Sequence, residues 1–590
     1  MRRVILSVVV LAVLGGALLV IPTVWGKPWS IDHYFTRVMI EFALDHPMLL
    51  SYARVLDPYG LDFYSHDLED LSVEAERRQA AQVRRALEGL RAYDDDELDE
   101  SQRLSKEVLE WFLVTLELGE PFQLHSYPVE QFRGWQSTLP DFMVNFHAIE
   151  NSGDASEYLS RLRKFPTAFK QLTDAVRYRA ERGMLPPRFV IRAVRKEIAD
   201  FTAHPIQENP LYQKLGRELR ALPDLDPLKR YSKMSDAASL IENAVYGSYR
   251  YLDRTLEELE PLATDDDGVW KLPDGDAYYR WTLRFHTTTD LGPDEIHEIG
   301  LREVDRIRGE MSAILEELGL PTDDADPIAT VQGFNREERF LFPDSDEGRA
   351  EILASYQAII DETEAKLPAL FGTLPQAKVT VERVPVFKEA GSAGAYYNAP
   401  PLDGSRPGIF YANLRSVEEV PRFGMRTLTF HEAIPGHHLQ IALAMENRDL
   451  PLFRRFVPFT AFVEGWALYA ERLAAEQGFH PTLYDRLGQL QAEIFRAVRL
   501  VVDTGIHARR WPRKQAIEYM IQNTGMPRGD VVAEVERYIV APGQACAYKL
   551  GQLRILELRD RARARLGDRF ELRDFHDIIL RNGALPLAIL

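Results

Sequence analysis

The chain has 590 residues, 45% of them hydrophobic, enough to bury a large core as one two-lobed unit or as several domains. Its formal net charge of −19, with no basic arm or stripe to offset it, argues against a nucleic-acid partner. The single cysteine, Cys546, excludes an intramolecular disulfide framework and a cysteine-based zinc cluster. Because no cysteine follows the apolar N-terminal segment, a lipid anchor there is excluded as well.

Residues 4–22 run VILSVVVLAVLGGALLVIP without a charge, behind Arg2 and Arg3. At 1.5 Å per residue such a helix would span ~28 Å, close to the ~30 Å hydrocarbon core of a bilayer. The small-x-small cleavage site of a signal peptide is poorly formed, and Trp25 suits a membrane interface. Residues 1–26 therefore read as an uncleaved signal anchor. The positive end would be cytoplasmic and the remainder extracytoplasmic. A cleaved signal sequence is the competing reading.

From 31 to about 375 the pattern is mainly helical, with apolar residues at three- and four-residue spacing over 68–92 and 155–183. The acidic runs at 94–100 and 264–268 read as solvated connections, since neither has the spacing of a calcium loop. Asp290 and Pro293 mark a helix start before DEIHEIGLREV, within which His297 reads as a packing or surface residue and not a ligand.

Between 377 and 414 the texture changes. AKVTVERVPVF alternates like a strand, and YYNAP and GIFYANL read as two strands joined by a Pro/Gly loop at 399–408. The expectation is a small antiparallel sheet.

Residues 430–440, FHEAIPGHHLQ, then place three histidines and a glutamate in eight positions of a chain with only 14 His. A His-Glu pair followed by more His is how a helix offers zinc ligands beside a general base, usually as H-E-x-x-H. Here Pro435 stands where the second His would be. On a regular helix six residues turn ~600°, so His437 would point away from His431. Seven residues regain the face but rise ~10.5 Å, too far for one metal. Pro435 cannot donate a helical hydrogen bond and Gly436 tolerates unusual dihedrals, so a local bulge could bring His437 back to the face. His438 remains the alternative. An ordinary Pro-Gly turn with merely polar histidines is the simpler reading of this segment alone.

The next helix, AFVEGWALYAERL at 461–473, carries Glu464 and, two turns on, Glu471. Most helix glutamates are solvated charges. Two His and one Glu with an open position are nevertheless a known zinc set. Cys546, among small residues, reads as core.

HEAIPGHHLQ, EGWALYAE, DTGIH (503–507) and APGQACAYKLG (541–551) together resemble the bacterial domain-of-unknown-function-885 family, from about residue 30 to the C-terminus. That family looks like a gluzincin-type branch of the zinc metallopeptidases. The resemblance implies a mainly α, zincin-like fold of two helical lobes, with the sheet edge beside an active-site cleft holding an extended substrate. It implies a lobe at 31–375 and a second at 376–590 carrying the metal, with the active helix at 423–445. His431, His437 and Glu464 would hold one Zn2+, with Glu432 as general base. His507 and Tyr548 are the implied donors to a tetrahedral oxyanion, although a packing His and a buried Tyr are the plain alternatives. His438, Glu471 and Lys549 are candidates for the surroundings of the metal or for substrate contact, as are Arg509 and Arg510. The function implied is zinc-dependent hydrolysis of peptide bonds. Hydrolysis of a non-peptide amide, or a membrane-anchored binding protein without catalysis, are the alternatives.

Overall fold

In the computed structural model the described residues are 23, 26–54, 56, 60–223, 225–320, 326–386, 389, 393–400, 406–457 and 459–590. The apolar run 4–22, read above as a membrane anchor, lies outside them. Among the described residues no helix is long and apolar enough to cross a membrane.

The chain is mainly helical, as its three- and four-residue apolar spacing requires, and it divides into two compact units. One comprises the described residues up to Asp266 together with Lys271–Asp274; the other comprises Asp267–Trp270 and Gly275–Leu590. The division falls about a hundred residues before the expected lobe boundary at 376. The helices between 275 and 364 spend their apolar faces inside the unit that carries the metal motif. The change of texture near 377 marks the start of a sheet instead.

In the first unit, α1 (Val73–Arg91) and α2 (Glu100–Leu118) pack as a pair. The long α3 (Ser152–Ala180) starts in a capping box on Asn151, which satisfies two of the first free N–H groups. It packs on α4 (Tyr246–Leu259) around Phe165, Phe169 and Tyr249.

In the second unit α5 (Gly275–Thr287) precedes α6 (Pro293–Glu317), which begins where Pro293 pre-sets the first helical φ. His297 on α6 packs as expected, with Nδ1 2.8 Å from Thr504 Oγ1. After α7 (Asp346–Glu364) come β1 (Val379–Arg383), β2 (Ala395–Asn398) and β3 (Gly408–Ala412), in the order β1-β3-β2. β2 and β3 form the expected antiparallel hairpin, Tyr397 opposite Phe410. β1 runs parallel to β3, Val381 opposite Phe410, so the sheet is mixed where a purely antiparallel one was expected. Alternation identifies a strand but not its direction. β3 is central and covered by α7, with Tyr356 edge-on to Phe410; β2 is left at the edge.

Among the helices after the sheet are α8 (Met425–Glu432), α9 (His437–Glu446), α10 (Thr460–Glu476), α11 (Leu483–His507), α12 (Arg528–Val540), α13 (Ala547–Leu566) and α14 (Leu572–Arg581). α10 is apolar nearly all round and accordingly buried, with Phe462, Trp466 and Tyr469 fully enclosed. It meets α13 backbone to backbone. A Cβ on Gly465 would lie 2.4 Å from Gly551 Cα, and one on Gly551 only 1.8 Å from the Ala461 carbonyl oxygen. Only glycine fits either position, and the crossing fixes the height of Glu464 beside its neighbours.

Candidate metal centre

The expected helix at 423–445 is two helices. α8 ends at Glu432, where Ala433 leaves helical geometry, and α9 begins at His437. The break follows from the sequence. Pro435 has no N–H to return to His431. A Cβ at position 436 would sit 2.1 Å from the carbonyl oxygen of His431 and 2.2 Å from that of Phe430. The freed groups find partners: the His438 N–H donates to the Ala433 carbonyl at 3.0 Å, and Trp466 Nε1–H to the Pro435 carbonyl at 2.9 Å. The chain thereby steps over the extra residues, and the rings of His431 and His437 meet edge to face, centroids 4.7 Å apart.

α10 brings Glu464 to the same place. Its Oε2 lies 3.6 Å from His431 Nε2 and 3.4 Å from His437 Nε2, and the three ligand atoms lie within 4.8 Å of one another. Tetrahedral zinc with bonds of ~2.1 Å needs donors about 3.4 Å apart. Glu464 Oε2 is buried and accepts no hydrogen bond, and neither does His437 Nδ1 make one. An orphaned buried carboxylate oxygen such as Glu464 Oε2 is costly unless something fills the space beside it. The donor set, its spacing and the stranded oxygen fit a zinc ion.

Glu471, two turns along α10, accepts from His431 Nδ1–H at 2.7 Å. That bond fixes the tautomer, leaving Nε2 to face Glu464. Burial opposes protonation of His431, yet the carboxylates of Glu464 and Glu471 outweigh it and raise its pKa to about 9. Burial would raise the carboxyl of Glu464, but His437 and His431 hold it below the usual carboxylate range. With Glu432, which is 7% exposed, three carboxylates surround two imidazoles, an excess of negative charge that suits a dication. The Glu432 carboxylate accepts no hydrogen bond from any described residue, and its charge is felt by His431 and by the buried Tyr356 phenol.

The other candidates separate. His438 points to the sheet. Tyr397 OH, on β2, donates to its Nδ1 at 2.9 Å, and its Nε2–H donates to the Ala377 carbonyl at 3.0 Å. The ring that stays with His431 is therefore His437. Tyr548 on α13 is half-buried. Its pKa is raised by burial and then by the charge of Glu464, which places the phenol within electrostatic reach of the ligand set. The Arg499 guanidinium lies 4.6 Å over its ring.

His507 does not join them. Val269 N–H donates to its Nδ1 at 3.1 Å and its Nε2–H donates to the Tyr538 carbonyl at 3.0 Å, so neither nitrogen is left for an oxyanion. Lys549 is wholly buried. Its ammonium is shared among Glu493, Gln552 and Glu303 at 2.7 to 2.9 Å, an internal ion network and not a substrate contact. Arg509 pairs with Glu298 at 3.0 Å and Arg510 lies over Trp270. The sequence reading takes Trp466 only as part of an apolar helix face and Tyr397 only as a strand residue, and misses their contacts at the helix break and behind His438. Both act through backbone or ring contacts formed across 31 and 41 residues, which no local spacing signals.

The model of the family described as "Bacterial protein of unknown function (DUF885)" matches residues 55–590. Among solved structures, a "putative lipoprotein from Colwellia psychrerythraea" is 35% identical, covering 95% of this chain and 97% of its own, with a TM-score of 0.90. A "putative lipoprotein of unknown function from Shewanella oneidensis" is 17% identical over 95% of this chain and 98% of its own, TM-score 0.74, a likeness of fold alone. No curated protein matches the chain.

Proposed function

This chain belongs to the bacterial DUF885 family of proteins of unknown function, and we propose, from the geometry of its His/Glu cluster, that it is a zinc-dependent hydrolase of peptide bonds. The observation that carries the reading is the convergence of His431, His437 and Glu464 around the unpaired Glu464 oxygen. These three side chains would hold the ion. When bound, zinc supplies Lewis acidity, polarising a carbonyl and making water nucleophilic near neutral pH.

The chain's own groups supply the rest. Glu432, next in sequence to a ligand and without a hydrogen-bonded partner among the described residues, takes the proton of the attacking water as it adds to the carbonyl carbon. It then delivers that proton to the leaving amine nitrogen. Tyr548, kept protonated by burial and by the neighbouring Glu464 charge, donates to the developing oxyanion. Glu471 orients His431 throughout. The edge strand β2 lies against α8 and offers main-chain groups to an extended peptide.

An extracytoplasmic, membrane-held protein fits both the uncharged run 4–22 and the "putative lipoprotein" description of the Colwellia psychrerythraea relative. The sole cysteine is buried at position 546, so the apolar run, not a lipidated thiol, is the anchor in this reading.

A mixed peptide library, incubated with the zinc-loaded full chain and analysed by mass spectrometry, tests the proposal. New termini should form, vanish with a chelator and return with zinc. Cleavage that persists in chelator, or a library left intact by zinc-loaded protein, would overturn it.

A further inference from the structure

The described residues expose 18 large hydrophobic side chains, and eight of them fall within residues 29–63. The concentration centres on the helix Ile31–Leu44 and the short helix Pro47–Ala53 that follows. The first helix is rooted at its start, where Ile31, Tyr34 and Phe35 are buried and Tyr34 OH donates to the Ala86 carbonyl at 2.7 Å. Its far end is different. Ile40 is 52% exposed, Phe42 45% and Leu44 51%.

Successive even positions on a helix lie about 200° apart, so these three side chains cover opposite sides of one helix end. A flat protein partner buries one face of a helix, whereas an apolar liquid surrounds it. Beyond Arg37 the helix carries one charge, Glu41, and Arg37 Nε sits 3.5 Å from it. Leu49 and Tyr52 on the second helix and Phe63 beyond it extend the surface, and Phe146 continues it, edge-on to Tyr52 at 5.1 Å. Exposed apolar side chains concentrated in one stretch of the chain in this way mark a contact site.

The sequence says what covers it. The uncharged run 4–22 ends eight residues before the helix begins, a tether of at most ~29 Å. Trp29, 73% exposed, lies in that tether, and an indole with one apolar and one polar edge favours the headgroup level. We infer that the end of helix Ile31–Leu44, with Leu49, Tyr52 and Phe63, inserts into the outer boundary of the bilayer that holds the N-terminus. The first unit then rests on the membrane instead of swinging from a tether. This rests on the reading of 4–22 as a membrane segment. Immersion to ~5–10 Å, as in interfacial helices, would take in the whole helix end.

The full chain, reconstituted in phosphatidylethanolamine/phosphatidylglycerol vesicles, provides the test. Cys546 is fully buried, so Phe42→Cys, Leu44→Cys and Leu228→Cys each give one reactive thiol for an environment-sensitive fluorophore. Leu228, 79% exposed in the same unit, is the control. The expected result is flotation of all three, with blue-shifted emission and loss of most fluorescence to doxyl-labelled lipid at 42 and 44 only. Flotation without quenching at 42 and 44 overturns the docking and leaves the anchor standing. A blue shift there without quenching means that protein covers the patch, and also overturns it. Failure to float overturns docking and anchor together.

Discussion

Glu471 Oε1 stands 2.7 Å from His431 Nδ1, both side chains buried, and this bond decides which ring nitrogen His431 turns toward Glu464. Glu471→Gln keeps the size but replaces a charged acceptor with an amide that also fits the opposite tautomer. Loss of such a partner lowers metal affinity about 10–100-fold. Zinc competition against a graded chelator measures this. Affinity equal to the wild type would mean that the pair contributes nothing to the site.

The backbone step between His431 and His437, the two histidines proposed as ligands, depends on residue 436 having no side chain. Gly436→Ala puts a methyl group about where the carbonyl oxygens of Phe430 and His431 already lie, 2.2 and 2.1 Å from its Cβ. Overpacking of this kind costs about 1–3 kcal/mol, and relieving it moves His437 off its ligand position. A lowered urea midpoint together with reduced zinc content is expected. An unchanged midpoint and full zinc would show that the break has slack.

Neighbouring histidines should part company on mutation. His437→Ala removes a donor and should lose the metal. His438→Ala severs the contacts with Tyr397 and Ala377 and should retain zinc. Elemental analysis of the two purified variants distinguishes them. A metal-free His438→Ala beside a metal-replete His437→Ala would reverse the assignment.

Buried neutral histidines set the acid limit of the fold. Burial lowers His507 and His576 to about 4, whereas an unfolded histidine titrates near 6.5. Between those values the unfolded chain binds protons that the folded one refuses, so the contribution of these two groups falls as pH drops from 6.5 toward 4 and is level above 6.5. At ~1.4 kcal/mol per pKa unit, each group contributes at most about 3 kcal/mol. Urea unfolding of metal-free protein at several pH values should follow this slope. His507→Asn should lower stability throughout but make the slope shallower by about one proton. An unaltered slope would mean that His507 does not titrate on unfolding.

The grouping of His431, His437 and Glu464 was readable where the sequence itself carries the constraint. Pro435 and Gly436 disfavour a continuous helix through the motif, so a step that could bring His437 back to His431 was legible from local chemistry, with His438 left as the alternative until the fold turned it to the sheet. Glu464 was readable as the glutamate of the next apolar helix, and Glu471 as its companion two turns on. Long-range partners were not readable. His507 shared the helical texture of its neighbours, and only the folded chain brings Val269, 238 residues earlier, to one of its nitrogens. Lys549 was a candidate for the surroundings of the metal or for substrate contact, and only the folded chain brings Glu303 and Glu493 around it. The parallel pairing of β1 escaped for a related reason: its alternation is the same in either direction, and its partner β3 begins 25 residues after β1 ends.

Hydrolysis with Glu432 as the base is the centre of the account, and one measurement reaches it most directly: zinc stoichiometry and peptide cleavage determined on the same preparation of Glu432→Gln. The substitution leaves His431, His437 and Glu464 in place, so about one zinc per chain should remain. Turnover should fall by at least the ~10²–10⁴-fold that general-base removal costs. Cleavage at close to the wild-type rate by a zinc-replete Glu432→Gln protein would contradict the mechanism.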